Sequence, residues 1–134
     1  MFQIDPLSKV PVYEQIKEQL KRLILSGVIK PGEQIPSVRR LSLELSINPN
    51  TILKSYSELD QCGLICSVPG KGYFVCENVL QLLNEDKIAS LSPLREQIVE
   101  MALAGIRQDE ILRCVEEAFQ NANRIKSSGG GGRI

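Results

Sequence analysis

PSVRRLSLELSINPNTILKSYSELDQCGLICSVPGKGYFV, residues 36–75, contains two short helical patterns followed by a glycine-rich hairpin pattern. The first helical pattern opens with Ser37, a residue type that caps helix N-termini well. Its apolar residues then recur at helical spacing: Val38, Leu41 and Leu45. The segment therefore predicts a short helix that buries one face.

The second helical pattern begins soon after the first. Asn48 is a good N-cap, and Pro49 suits the first helical position because its missing N–H has no intrahelical partner there. An inward stripe follows, formed by Ile52, Tyr56 and Leu59. Two short helices joined by a short turn predict a helix-turn-helix.

After Gly63 the period changes from helical to extended. The runs LICSV and GYFVC are rich in β-branched and aromatic residues, and they flank a Pro-Gly-Lys-Gly turn at residues 69–72. Such glycines permit the tight turn of a β-hairpin. A hairpin directly after a helix-turn-helix predicts a winged helix, with a further helix over residues 12–26 closing its core.

Beyond the hairpin the composition shifts to helix formers and acidic residues. The predicted fold is mostly α with a small β-hairpin: a winged helix-turn-helix domain over residues 1–76, followed by a short C-terminal helical dimerisation segment over residues 77–126. Ser92 and Pro93 are predicted as the cap and first residue of one helix in that segment. The glycine-rich residues 127–134 are predicted to be a disordered tail.

Two apolar stripes mark the helical segment, and a thin helical hairpin cannot bury both by itself. They need a partner surface, which is either the winged domain or a second copy of the segment. We expect the second copy and hence a homodimer. The predicted interface consists of Leu91, Leu94, Ile98, Met101, Ile111, Leu112, Val115 and Phe119.

Length and charge limit the possible functions. With 134 residues the chain has room for one compact domain and an appendage, which is too little for a large enzyme core. The net charge is zero, but residues 1–76 hold nine Lys or Arg against seven Asp or Glu, and residues 77–134 hold seven against nine. The mildly basic N-terminal part is compatible with a nucleic-acid partner.

The sequence offers few of the residues that a metal site or an active site needs. The chain has no histidine, and its cysteines match no zinc or redox spacing: Cys62, Cys66, Cys76 and Cys114. No acid, base and nucleophile can be assembled, so we expect no enzyme, no metal and no cofactor. Because the start lacks a signal-peptide pattern and no apolar run reaches the ~20 residues of a membrane span, we expect a cytoplasmic protein without a membrane partner.

The second helix of a helix-turn-helix lies in the DNA major groove, while the preceding helix and loops hold phosphates. Polar residues on the outer face of a helix are common and do not by themselves indicate DNA binding. The residues here are candidates because they also lie in the helix that enters the groove. The candidate groove-facing residues are Asn48, Asn50, Thr51, Lys54 and Ser55.

Two further groups complete the predicted interface with double-stranded DNA. Arg39 and Arg40 begin the preceding helix, where the helix dipole disfavours cations, so they indicate an external anion such as phosphate. The wing tip is formed by Gly70, Lys71 and Gly72, which combine a small size with one positive charge. Surface arginines and solvated hairpin turns are common, and it is the combination that favours DNA.

The run PGEQIPSVRRLSLELSINPNTILKSYSELDQCGLICSVPGKGYFV resembles the DNA-binding domain of the GntR family of bacterial transcription regulators, whose pattern is PG..LPS.R.LA..L.V...TV...Y..LE..GLI....G.G.FV. The INPNT segment and the short helical tail are similar to the YtrA-like subfamily. The resemblance implies a winged-helix regulator of transcription, and in this subfamily the regulated genes often encode transporters.

Carried to this sequence, the resemblance implies that Arg39 binds DNA and that Asn50 and Thr51 belong to the recognition-helix motif. Gly70 and Gly72 match the wing glycines. Leu53 departs from the pattern, because many relatives place a basic residue there, and the neighbouring Lys54 is the candidate for that role.

The leading hypothesis is a homodimeric, sequence-specific repressor that binds a palindromic operator. The alternative is a winged-helix protein-interaction module. Apolar residues on the outer face of the second helix would favour it, and Leu53 is the only such residue there. A small-molecule effector needs a pocket of ~300 Å³ or more, which the helical segment is too small to enclose, so no effector is assigned.

Overall fold

The computed structural model describes residues 2–129, which form six helices and one antiparallel two-stranded sheet. In chain order the elements are α1 (Val12–Leu25), α2 (Val38–Leu45), α3 (Pro49–Gln61), β1 (Ile65–Val68), β2 (Gly72–Val75), α4 (Val79–Ile88), α5 (Leu91–Leu103) and α6 (Gln108–Gly129). The predicted fold class, mostly α with a small hairpin, is confirmed. The described residues divide after Leu82 into two compact units.

The helix-turn-helix forms where its caps predict it. The Ser37 hydroxyl accepts a hydrogen bond from the Arg40 amide at 3.1 Å and starts α2. The Asn48 side chain accepts from the Asn50 amide at 2.8 Å and starts α3, with Pro49 in the first turn. Both predicted N-caps are confirmed.

The segment before α2 forms backbone hydrogen bonds with the hairpin. β1 and β2 pair in antiparallel register, with Ile65 opposite Val75. The Ile35 amide donates to the Tyr73 carbonyl at 3.0 Å, and the Val75 amide donates to the Glu33 carbonyl at 2.9 Å. The connector between α1 and α2 therefore lies along β2 and fixes the base of the wing.

The core of the first unit joins α1, both helices of the helix-turn-helix and the hairpin. Tyr56 lies at its centre: the side chain is fully buried, and its hydroxyl donates to the Pro36 carbonyl at 2.7 Å. Its ring packs in a T-shaped arrangement with the Tyr73 ring, with 4.9 Å between centroids. The other fully or almost fully buried apolar residues here include Ile16, Leu20, Leu41, Ile52, Leu59, Ile65 and Val75.

The first unit extends further than the predicted domain, which ended at residue 76. Val79, at the start of α4, is fully buried. A Cβ placed on Gly63 would lie 3.6 Å from the Leu82 side chain, so the first turns of α4 pack against the end of α3. The boundary at Leu82 consequently falls inside α4.

The second unit differs from prediction at two helix ends. α5 begins at Leu91 with Ser90 as its N-cap, so the predicted cap at Ser92 and first position at Pro93 are wrong by two residues. Pro93 is tolerated in the first turn because the first amides of a helix have no intrahelical acceptor. α6 continues to Gly129, so residues 127–129 are helical where a disordered tail was predicted; residues 130–134 lie outside the described range.

None of the helices within residues 2–129 has both the length and the apolar character needed to cross a bilayer.

Candidate nucleic-acid interface

The N-terminal half of α3 presents few free polar groups. Asn50 is exposed, and its side chain makes no hydrogen bond within residues 2–129. The Asn48 side chain is occupied as the N-cap, and Thr51 is half-buried. Of the predicted groove-facing residues in this half, Asn50 is therefore the one placed to donate and accept freely.

The prediction that Ser55 faces DNA is wrong. Its side chain is fully buried, and its hydroxyl donates to the Tyr13 carbonyl at 2.9 Å and to the Thr51 carbonyl at 3.2 Å. The bond to Tyr13 joins α3 to α1, so Ser55 is a packing residue of the winged domain.

Two charged groups of α3 also turn toward α1. The Lys54 ammonium lies 3.8 Å from the centroid of the Tyr13 ring, a cation–π contact. Glu58 accepts from the Lys17 ammonium at 2.9 Å, and this hydrogen bond is the main cause that raises the pKa of Lys17. Lys54 stays exposed, but its charge is stabilised by the ring and is less free for a base than its sequence position predicts.

The two arginines of α2 differ in their surroundings. Arg40 forms an ion pair with Glu44, with 2.9 Å between Nε and Oε1, and 73% of its side chain is exposed. Arg39 is exposed and has no carboxylate partner in the part of the chain that the structure describes. The guanidinium of Arg39 is therefore free for an external anion, whereas that of Arg40 is engaged in a surface ion pair of small stabilising effect.

Gln34 holds the wing tip, and the sequence patterns gave no sign of this role. Its side-chain amide donates to the Lys71 carbonyl at 2.7 Å. Gly72 has a φ of +120°, which favours glycine, and a Cβ there would approach the same amide nitrogen to 2.9 Å, so a larger residue would displace the Gln34 amide from the wing tip. Gly70 at the turn has a φ of +77°, and Lys71 between them is exposed.

The connector that holds the wing tip also borders the start of α2. A cavity of about 450 Å³ lies between the connector and α2, and its lining includes Gln34, Pro36, Ser37 and Arg40. Since Gln34 also bonds the wing tip, the structure brings the base of the wing and the N-terminus of α2 to the same side of the first unit. Two of the predicted interface groups are thereby brought together.

The chemistry of the cysteines is that of ordinary thiols. All four are free, and burial raises the pKa of the Cys76 thiol. Within residues 2–129, no three His, Cys, Asp or Glu side chains are grouped so that they could hold a metal ion.

A capped helix-turn-helix, an unpaired arginine at the start of its first helix and a cationic hairpin tip together define a winged-helix DNA-binding domain. Comparison with known proteins agrees. The family model described as "Bacterial regulatory proteins, gntR family" matches residues 12–75. The chain is 39% identical over 118 residues to the HTH-type transcriptional repressor YtrA of Bacillus subtilis (strain 168), covering 87% of this chain and 91% of that protein.

Two solved structures are similar over most of their length. A transcriptional regulator from Oenococcus oeni gives a TM-score of 0.69 at 31% identity, covering 89% of this chain and 99% of that one. A GntR family transcriptional regulator from Listeria monocytogenes gives a TM-score of 0.67 at 30% identity, covering 85% and 98%. The chain belongs to the GntR family: it is a transcriptional regulator with a DNA-binding helix-turn-helix, and not an enzyme.

Proposed function

We propose that this regulator is a homodimeric repressor that acts in the cytoplasm and binds a palindromic operator through α3, Arg39 and the wing. One observation carries the proposal: α2, α3 and the wing each present an exposed polar side chain with no side-chain partner within residues 2–129, namely Arg39, Asn50 and Lys71. A phosphate contact, a base contact and a wing contact are the three kinds of interaction that such an interface needs.

The dimer rests on the apolar surface of the second unit. All eight predicted interface residues are at least partly exposed. Phe119 is 67% exposed, Leu112 56% and Leu91 53%. Each of the two helices thus exposes an apolar stripe, which water solvates poorly. We propose that a second copy of the chain packs against these apolar residues, because in a twofold dimer each stripe can pack against the same stripe of the partner.

The proposal also covers the direction of regulation, which is repression, and the class of regulated genes. The B. subtilis relative is named a repressor, and an operator-bound dimer represses by occupying DNA that the transcription machinery needs. The resemblance to the YtrA-like subfamily adds transporter genes as the expected targets. The genes beside this one, and a palindrome upstream of them, test that assignment.

Arg39→Ala and Asn50→Ala should weaken DNA binding in different ways. Loss of a phosphate contact should lower affinity for operator and scrambled duplex alike and reduce the salt slope by about one per half-site. Loss of a bidentate base contact should cost ~1–3 kcal/mol on the operator and leave scrambled DNA almost unaffected. Fluorescence anisotropy on both duplexes over a salt series measures both effects.

Arg22→Ala is the matched control, because Arg22 is an exposed arginine in the last turn of α1. It should keep the wild-type affinity and salt slope. Equal behaviour of Arg39→Ala and Arg22→Ala would remove Arg39 from the interface. Failure of the wild-type protein to prefer any duplex would instead favour the protein-interaction module.

A further inference from the structure

Of the three charged side chains of α3, Lys54 and Glu58 have partners on α1, and Asp60 near the end of the helix is exposed. Lys54 is held over the Tyr13 ring, Glu58 is paired with Lys17, and Ser55 is buried. These three contacts all point toward α1.

A short strip of uncharged side chains lies beside these residues on the exposed surface of α3. Asn50, Leu53 and Ser57 are exposed and follow one another at spacings of three and four residues, so they lie on one face of α3. Leu53 is 44% exposed and is the large apolar residue at the middle of this strip. Its neighbours one turn before and one turn after on this strip, Asn50 and Ser57, are uncharged, and the exposed Asp60 continues the same face toward the end of the helix.

We propose that Leu53 is a specificity-determining residue that packs on the C5-methyl group of a thymine in each half-site. This inference rests on the proposed function, in which α3 enters the major groove. Thymine is the base that presents an apolar group in that groove, whereas guanine and cytosine present acceptors and a donor there. Leucine offers neither a donor nor an acceptor to any base edge, so the methyl contact is what lets Leu53 distinguish thymine from the other bases.

Asn50 strengthens the assignment by its position. It lies one turn before Leu53 on the same strip and offers an amide that pairs bidentately with adenine. The strip therefore favours A·T pairs at neighbouring positions, with the adenine contacted by Asn50 and the thymine methyl by Leu53.

Replacing single thymines by deoxyuridine tests this directly, because the change removes the methyl group and keeps the base pair. The duplex is the sequence that the full-length protein enriches from a random pool, substituted at equivalent positions of both half-sites. Wild-type protein should show one thymine position at which deoxyuridine lowers affinity about fourfold per half-site, the effect of one buried methyl group. Leu53→Ala should bind thymine and deoxyuridine at that position equally.

Leu43→Ala is the matched control, because Leu43 is a leucine 72% exposed on α2 and should keep the wild-type preference for thymine. Circular dichroism on each variant confirms that the fold is kept. Wild-type binding that is insensitive to deoxyuridine at every position, or a Leu53→Ala variant with the wild-type preference, overturns the inference while leaving operator binding intact. Absence of any enriched sequence overturns the proposed function itself.

Discussion

Phe119→Glu should convert the protein from a dimer to a monomer and lower operator affinity at least about 100-fold. Phe119 is 67% exposed in the single chain, so the substitution removes few contacts within the monomer. In a twofold interface it would instead bury a carboxylate in an apolar surface. A monomer then loses the linked second half-site, a contribution of about 10²–10⁴ in affinity.

Sedimentation and an operator titration measure the two consequences on the same sample. Wild-type protein should sediment at twice the 14.9 kDa chain mass, and the variant at that mass. Leu7→Glu, at a leucine that is 92% exposed in the first unit, is the control and should remain dimeric. A dimeric Phe119→Glu protein with unchanged affinity would place the interface elsewhere.

Tyr56→Ala should destabilise the winged domain by ~3–5 kcal/mol, the usual cost of deleting a buried aromatic ring. The ring is fully buried and contacts Tyr73, and the hydroxyl bonds the Pro36 carbonyl. Burial is the main cause that raises the pKa of Tyr56 above its ordinary range, so the phenol keeps the proton that it donates. Urea unfolding followed by circular dichroism measures the loss, which is a large part of a typical domain's stability of ~5–15 kcal/mol.

Tyr56→Phe removes the hydroxyl and keeps the ring, so it measures the contribution of the hydroxyl alone to stability. It should cost ~1–3 kcal/mol, because the Pro36 carbonyl then loses its donor. Tyr73→Phe is the control, since the Tyr73 hydroxyl has no hydrogen bond within residues 2–129, and it should change stability by less than about 0.5 kcal/mol. Equal costs for the two Phe variants would mean that the Tyr56 hydroxyl contributes nothing.

Local signals predicted the winged helix well, because each acts within a few residues. Ser37 and Asn48 cap the helices that they were expected to cap. Gly63 has a positive φ of 80° where α3 ends. The error at Ser55 was avoidable: it lies three residues after Ile52 and four before Leu59, which places it on the buried stripe.

The remaining differences depend on contacts between distant segments. The position of Lys54 over Tyr13 follows from how α1 crosses α3, and the bond from Gln34 to Lys71 follows from how the connector lies along β2. Neither pairing has a local sequence signal, so the sequence overestimated the free charge on α3 and missed the residue that holds the wing. The extension of the first unit to Leu82 likewise results from packing of α4, which composition alone could not locate.

Selection from a pool of random duplexes tests whether this chain recognises a specific DNA sequence as a twofold dimer. Full-length protein is incubated with the pool, bound DNA is recovered over several rounds, and the recovered sequences are compared with the input. A twofold dimer should enrich one palindrome whose half-site centres lie ~10 bp, or a multiple of that, apart, so that both α3 helices meet the same face of the duplex. A bound pool indistinguishable from the input would contradict sequence-specific recognition.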